Sequence, residues 1–282
     1  MRTHALWAIG SLWVVCFAGI AADPVAAQLA EAGPSGLEPS YEAAPAAEKT
    51  ALPFAPGERL EYAITIARLR LGHGVLAVEA AELLEGVPTY RLALEVDIKA
   101  PFLSFADREV SWVATDPIRS VVFERQRVES GREERRRFHF DHVELRYDSE
   151  VWDARLAEYR PATGENAAGD IPAGAIDEIA ALYLLRTLSL ESNTTHRIAR
   201  YFDPTANPIV FRVVGRERVK VPAGRFEVVV VEPDIPALGP FQASKQPRIY
   251  ITDDARRLIV KITTRTKAGP LTFYLKDFSV GS

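Results

Sequence analysis

Residues 90–99 read YRLALEVDIK, and the stretch alternates without a break. Tyr90, Leu92, Leu94, Val96 and Ile98 fall on one face; Arg91, Ala93, Glu95, Asp97 and Lys99 fall on the other. A period of two belongs to a strand, whose successive side chains point to opposite faces. One dry face and one wet face further specify an antiparallel sheet solvated on one side, because strands of parallel sheets are usually buried on both.

The pattern recurs outward in both directions. Leu60, Tyr62, Ile64 and Ile66 alternate, and Gly72-His73-Gly74 read as a turn into residues 75–84. Val110, Trp112 and Ala114, then Val121 and Phe123, then Phe138 and Phe140 mark further strands. Leu258, Val260 and Ile262 alternate near the end, followed by Leu271, Phe273 and Leu275. The clearest hairpin is FRVVGRERVKVPAGRFEVVVVEP: residues 210–221 run in, Pro222-Ala223-Gly224 turn, and 225–232 return. Proline pre-sets the first turn angle and Gly224 supplies the positive φ. Residues 228–231 are four valines, so this strand is expected to be central and covered on both faces. Asp253-Asp254 reads as another turn, joining 248–252 to 257–265.

Residues 175–190, AIDEIAALYLLRTLSL, break the period. Ile176, Ile179, Ala180, Tyr183, Leu184 and Leu188 fit helical spacing, with Asp177 and Glu178 in the first turn, where the helix dipole favours acids. Leu182, Leu185 and Leu190 make the segment apolar nearly all round, which means a buried helix. The expected fold is mainly β with one buried helix (α+β): a curved antiparallel sheet forming an open or half barrel around the helix. Barrel mouths are common ligand sites. Leu60, Tyr62, Tyr90, Leu92, Leu94 and Tyr183 are therefore the candidate residues for lining an apolar ligand site.

The N-terminus has the pattern of a secretory signal peptide. Arg2 precedes an uncharged, mostly apolar run at 5–22, and Val25 and Ala27 fit the small-residue cleavage positions, with Gln28 as the new terminus. An uncleaved anchor is the alternative, since some 18 apolar residues are borderline for a span. Either way the remainder is exported, to the bacterial periplasm or cell envelope. No later run approaches spanning length, so no transmembrane helix is expected after cleavage. Residues 28–52 are rich in Ala, Pro and Glu with no apolar period and read as a disordered spacer or a frayed terminus. Residues 53–282 read as a single β-rich domain.

The 282 residues contain one Met and one Cys, and both Met1 and Cys16 lie in the leader. That excludes disulfides, thiol nucleophiles and Cys-based metal centres from the exported part. Net charge is −4, which argues against nucleic-acid binding. No nucleophile elbow, zinc-protease helix, P-loop or dinucleotide-binding glycine pattern occurs. His139 and His142 flank Asp141, but an offset of three on a strand puts them on opposite faces unless a turn intervenes. No catalytic residue, metal or cofactor is expected. The densest charge lies at 125–138, RQRVESGREERRRF, with Arg125, Arg127, Arg132, Arg135, Arg136 and Arg137 against Glu129, Glu133 and Glu134. It reads as a solvated hairpin with cross-strand ion pairs, or else as a contact for anionic head groups or an acidic partner.

Four segments together resemble a bacterial exported family known as domain of unknown function 3108. PFAPGERLEYAITIARLRLGHGVLAVE is similar to its opening, and DREVSWVATDPIRSVVFERQRVESG to its central strands, with Asp107, Trp112, Pro117 and Gly131 in place. DEIAALYLLRTL resembles its helix at Asp177, Ala181, Leu182, Tyr183, Leu185 and Arg186, while Glu178 and Ala180 replace the usual Pro and Ser. VPAGRFEVVVVEP and IYITDDARRLIVKI resemble the closing strands through Gly224, Asp254 and Arg257, with Tyr250 where Trp is common. The resemblance implies a β-rich open barrel similar to periplasmic lipoprotein carriers, and no agreed active site. Two functions are consistent with this: a non-enzymatic envelope protein holding a lipid or other hydrophobic small molecule in the concave sheet, or an envelope scaffold or assembly factor with a solid core that meets a protein partner through its outer surface.

Overall fold

The computed structural model describes residues 51–100, 103–164, 167–200, 208–234, 247–266 and 269–281. The signal segment, the cleavage positions Ala27 and Gln28, and nearly all of the 28–52 spacer lie outside the described residues.

Among the described residues, fifteen antiparallel strands build one sheet. Its first half runs β1 (Arg59–Ile66), β2 (Leu69–Leu84), β3 (Val87–Ala100), β4 (Leu103–Thr115), β5 (Ile118–Glu129), β6 (Arg132–Asp141), β7 (Arg146–Asp153), β8 (Glu158–Pro161) and β9 (Ala168–Asp170). After the helix α1 (Glu178–Thr187) come β10 (Thr195–Ile198), β11 (Ile209–Val221), β12 (Gly224–Asp234), β13 (Arg248–Thr252), β14 (Ile259–Thr266) and β15 (Gly269–Ser279). Consecutive strands pair as a meander, except that β9 pairs with β7 and that β1 pairs with β15 and so joins the two halves. β8 and β10 end the order without pairing to each other, so the curved sheet stays open.

The alternation at 90–99 is realised in β3: Leu92, Leu94, Val96 and Ile98 are buried. Leu60, Tyr62, Ile64 and Ile66 of β1 join them in one apolar core with Ile179, Leu182 and Leu185 of the helix. The helix packs on this inner face against β3, β4 and β5. Residues 228–231 of β12 are buried on both faces, as four consecutive valines require, and β12 lies between β11 and β13. Among the described residues no helix is long and apolar enough to cross a membrane.

Three local expectations change. The helix is shorter than 175–190 because Asp177 is its N-cap and Leu188 its C-cap, both with extended backbone. Gly72-His73-Gly74 do not turn; they lie inside β2. A Cβ on Gly72 would sit 2.2 Å from the Asp97 carbonyl, so this glycine serves close strand approach at a register shift. The actual turn is Ala67-Arg68, both with positive φ and neither glycine, which is why composition does not mark it. Third, the face of β4 that meets the helix is not the one carrying Val110, Trp112 and Ala114. Cross-strand pairing sets Phe105, Asp107, Glu109 and Ser111 opposite Ile98, Val96, Leu94 and Leu92, so two acids and a hydroxyl point inward.

Candidate functional site

The inward acids of β4 organise a polar region of the inner face. Arg127 lies directly across from Asp107, and Arg125 from Glu109, because β4 and β5 pair in that register. Arg127 donates to Asp107 at 2.9 Å; Arg125 reaches Glu109 at 2.8 Å and Asp107 at 3.6 Å. Beside them Glu178, the first residue of α1, pairs with Arg200 at 2.8 Å in near-complete burial. Three carboxylates thus face three guanidiniums. Burial pushes the Glu109 carboxyl up to about 8 despite the Arg125 charge, with Asp107 and Glu178 adding like-charge repulsion. Burial raises Glu178 as well, against the pull of Arg200 and Arg125. One oxygen of Asp107 and one of Glu178 have no hydrogen-bond partner among the described residues.

Next to this cluster Asp177 caps the helix. Its Oδ1 accepts from the Ile179 and Ala180 amides at 2.9 Å. Its Oδ2 accepts from Ser111 at 2.5 Å and Ser120 at 2.6 Å, and the Asp177 amide donates to the Ser120 hydroxyl. Burial raises the Asp177 carboxyl, and these donors only partly offset it. At the other helix end Arg186 donates to both oxygens of Glu58 at 2.6 and 2.7 Å, and to the Pro53 and Arg256 carbonyls at 3.1 Å. Its guanidinium also lies 5.2 Å from the ring centres of Phe54 and Tyr183. The helix is therefore fixed to the sheet by a carboxylate at its N-terminus and a guanidinium at its C-terminus, each in accord with the helix dipole.

Of the six residues read as ligand-lining, Leu60, Tyr62, Leu92, Leu94 and Tyr183 are buried in the core. Tyr90 is half-buried and meets Phe54 edge-on, and Phe54 in turn contacts Tyr183. The Tyr183 hydroxyl has no hydrogen-bond partner among the described residues. Of the other motif residues, Asp107 belongs to the ionic cluster and Trp112 donates to Glu82 at 3.4 Å. Gly224 closes the β11–β12 turn with φ +145°, and Asp254 holds the β13–β14 turn by accepting from Thr252 and the Arg256 amide. Arg257 takes a positive φ in that same turn.

The charged run at 125–138 is a hairpin with its tip at Ser130-Gly131. Its outer face carries cross-strand pairs such as Arg137 with Glu124 at 2.5 Å, and Arg137 also stacks 4.0 Å from the Tyr159 ring centre. Arg125 and Arg127 turn inward instead, which the run's composition conceals. His139 faces Glu150 on the outer side, whereas His142 sits in the turn after β6 and contacts the Ser120 carbonyl at 2.6 Å.

A family model described as protein of unknown function (DUF3108) matches residues 61–276. The chain belongs to this family. The match covers every inward residue of the ionic cluster and the helix with both its anchors except Glu58. No curated protein matches the chain by sequence. Among solved structures, the DUF3108 chain is similar to a β-barrel-like protein of domain of unknown function DUF1849 from Brucella abortus, at 11% identity and TM-score 0.51, over 82% of this chain and 100% of that one. That likeness is one of fold. A protein with a YmcC-like fold from Bacteroides fragilis aligns at 14% identity and TM-score 0.29 over 81% and 98% of the two chains. A protein from Parabacteroides distasonis aligns at 10% and 0.30 over the same shares.

Proposed function

We propose that this DUF3108 protein is an exported, non-enzymatic envelope protein that acts as a scaffold or assembly factor through its outer surface. The observation that carries the reading is the packing of the inner face. Five of the six side chains that would line an apolar site are enclosed by the helix and neighbouring strands, with Leu60 and Tyr183 at 0% exposure. An acyl chain needs a concave apolar space of several hundred Å3. Among the described residues, the space around these side chains is filled by the protein's own core.

The polar groups support the same reading. Ser111 and Ser120 donate to Asp177 and are fully buried, out of reach of a substrate. The carboxylates of the cluster pair with arginines that also fix strand β5 and the helix start, a structural use of these groups. Export is supported by the leader read at residues 1–27. The candidate protein contact is the outer side of the β5–β6 hairpin around Arg135 and Arg137, where Arg135 lies over Trp152 and Arg137 over Tyr159.

Native mass spectrometry of protein purified from a bacterial periplasm, with solvent extraction of the sample, tests the reading. A lipid-free mass and no uptake of a fluorescent fatty acid are expected. Stoichiometric co-purifying lipid would overturn the solid-core reading in favour of a carrier. Cross-linking in cells should capture an envelope partner that is lost on charge reversal at Arg135 and Arg137; an unchanged partner set removes that contact.

A further inference from the structure

Most arginines on the outer face have acidic partners. Arg91 pairs with Glu79 and Glu82, Arg108 with Glu79 and Glu95, and Arg137 with Glu124 and Glu150. One rim of the sheet differs. Ile66 pairs with Leu69 across β1 and β2, so Ala67 and Arg68 form a two-residue tip. Leu69 stands at this apex with 68% of its surface exposed, between Arg68 and Arg70, which are also exposed. Lys99, at the same end of β3, is 77% exposed in its side chain and pairs with Asp97 at 3.3 Å. Arg265 is exposed at the same end of β14, where Thr266 pairs with Gly269. Arg68, Arg70 and Arg265 make no ion pair with any other described residue.

The sheet order β14-β15-β1-β2-β3 puts these groups on one edge. Four inter-strand spacings make it about 19 Å wide. We propose that this rim docks on an anionic lipid surface, with the arginines and Lys99 at the phosphates and Leu69 entering the acyl boundary. Two features together select the occupant. Unpaired guanidiniums match phosphate, which they can bind in a bidentate manner. An acidic protein would satisfy the cations as well, but it would leave the leucine at the apex in water or against charge. A bilayer interface offers a phosphate layer immediately above an apolar one and takes both. The hairpin contact at Arg135 and Arg137 lies down the outer face of β6, three strands beyond β3 in the sheet order, so this inference rests on the surface-acting reading only in placing recognition outside the packed interior.

The test is co-sedimentation of the exported protein, recovered from periplasmic extract, with phosphatidylcholine vesicles with and without phosphatidylglycerol. Binding is expected only to the anionic vesicles and should weaken with added salt. The double variant Arg68→Gln, Arg70→Gln should bind roughly thirtyfold more weakly, and Leu69→Asp should also lose binding. These residues form an exposed tip, and thermal melting checks that each variant folds. Equal binding of wild type and the arginine variant, or none to anionic vesicles, overturns the proposal. Loss with the arginine variant but not with Leu69→Asp reassigns the rim to an acidic protein and overturns the lipid docking. Failure here leaves the partner capture at Arg135 and Arg137 unaffected, so the two readings fail separately.

Discussion

Arg186 carries a charge into the centre of the molecule at 0% exposure, and the surrounding residues account for why it can stay there. Glu58 answers it with both oxygens, two carbonyls take further donors, and two aromatic rings flank it. Removing one partner of such a pair leaves an uncompensated buried charge, which costs about 3–5 kcal/mol. Arg186→Met should therefore lower unfolding free energy by that amount in urea titration. Combining it with Glu58→Met should restore much of the loss, because both charges are then gone; strict additivity would show that the two groups are not coupled. Asp177 is a second such point, with four donors converging on one carboxylate. Asp177→Ala should cost about 2–4 kcal/mol, from a lost N-cap and two buried hydroxyls left without their acceptor. Ser111→Ala alone should cost about 1 kcal/mol, since it removes one donor and leaves the cap intact.

At the scale of elements, what could be read from the sequence depended on whether one face of a strand was dry. β3 could be delimited because Leu92 to Ile98 alternate with charged residues. The four valines of β12 announced burial on both faces, and the helix announced itself by being apolar all round. The ionic cluster was not legible. An arginine in an alternating strand reads as solvent-facing, and nothing local to Arg125 or Arg127 shows that Glu109 and Asp107 sit across from them on β4. The register that makes the pairs is a property of two strands, not of either sequence. Gly72 was misread for a related reason. Glycine marks either a positive φ or a close approach, and only the neighbouring strand decides which. Gly72→Ala tests this. Its Cβ would meet the backbone of β3 rather than a movable side chain, so a loss of about 1–3 kcal/mol is expected. The same change at Gly86, a positive-φ turn residue with open space around it, acts through backbone strain alone and should cost less, about 1 kcal/mol. A Gly72→Ala melt no lower than that of Gly86→Ala would refute the close-approach account.

For the whole molecule, an open sheet without disulfides must hold its curvature by packing against one helix, and the acids that secure the helix start are buried. The single Cys, Cys16, has no second cysteine to pair with, so no intrachain disulfide can compensate. This gives the fold a characteristic pH response. Glu109, Glu178 and Asp177 all have carboxyls raised by burial. A raised folded-state pKa means that the native state holds its proton more tightly than the unfolded chain. The stability this contributes is fully present below the unfolded value near 4.5 and is lost as pH rises through the folded value, about 8 for Glu109. Half-buried His142 works in the opposite sense: partial burial lowers its pKa, so it costs stability as pH falls below about 6.5. Between pH 6.5 and 8 the histidine no longer opposes, and the carboxylates govern. Melting temperature should therefore fall with rising pH across that window. Glu109→Gln keeps the shape of the side chain and removes the titration, so its melting temperature should fall less steeply over the same range, whatever its absolute value. Parallel slopes for wild type and variant would show that Glu109 keeps its charge throughout, held by Arg125, and that the burial of this cluster sets no limit on the alkaline stability of the fold.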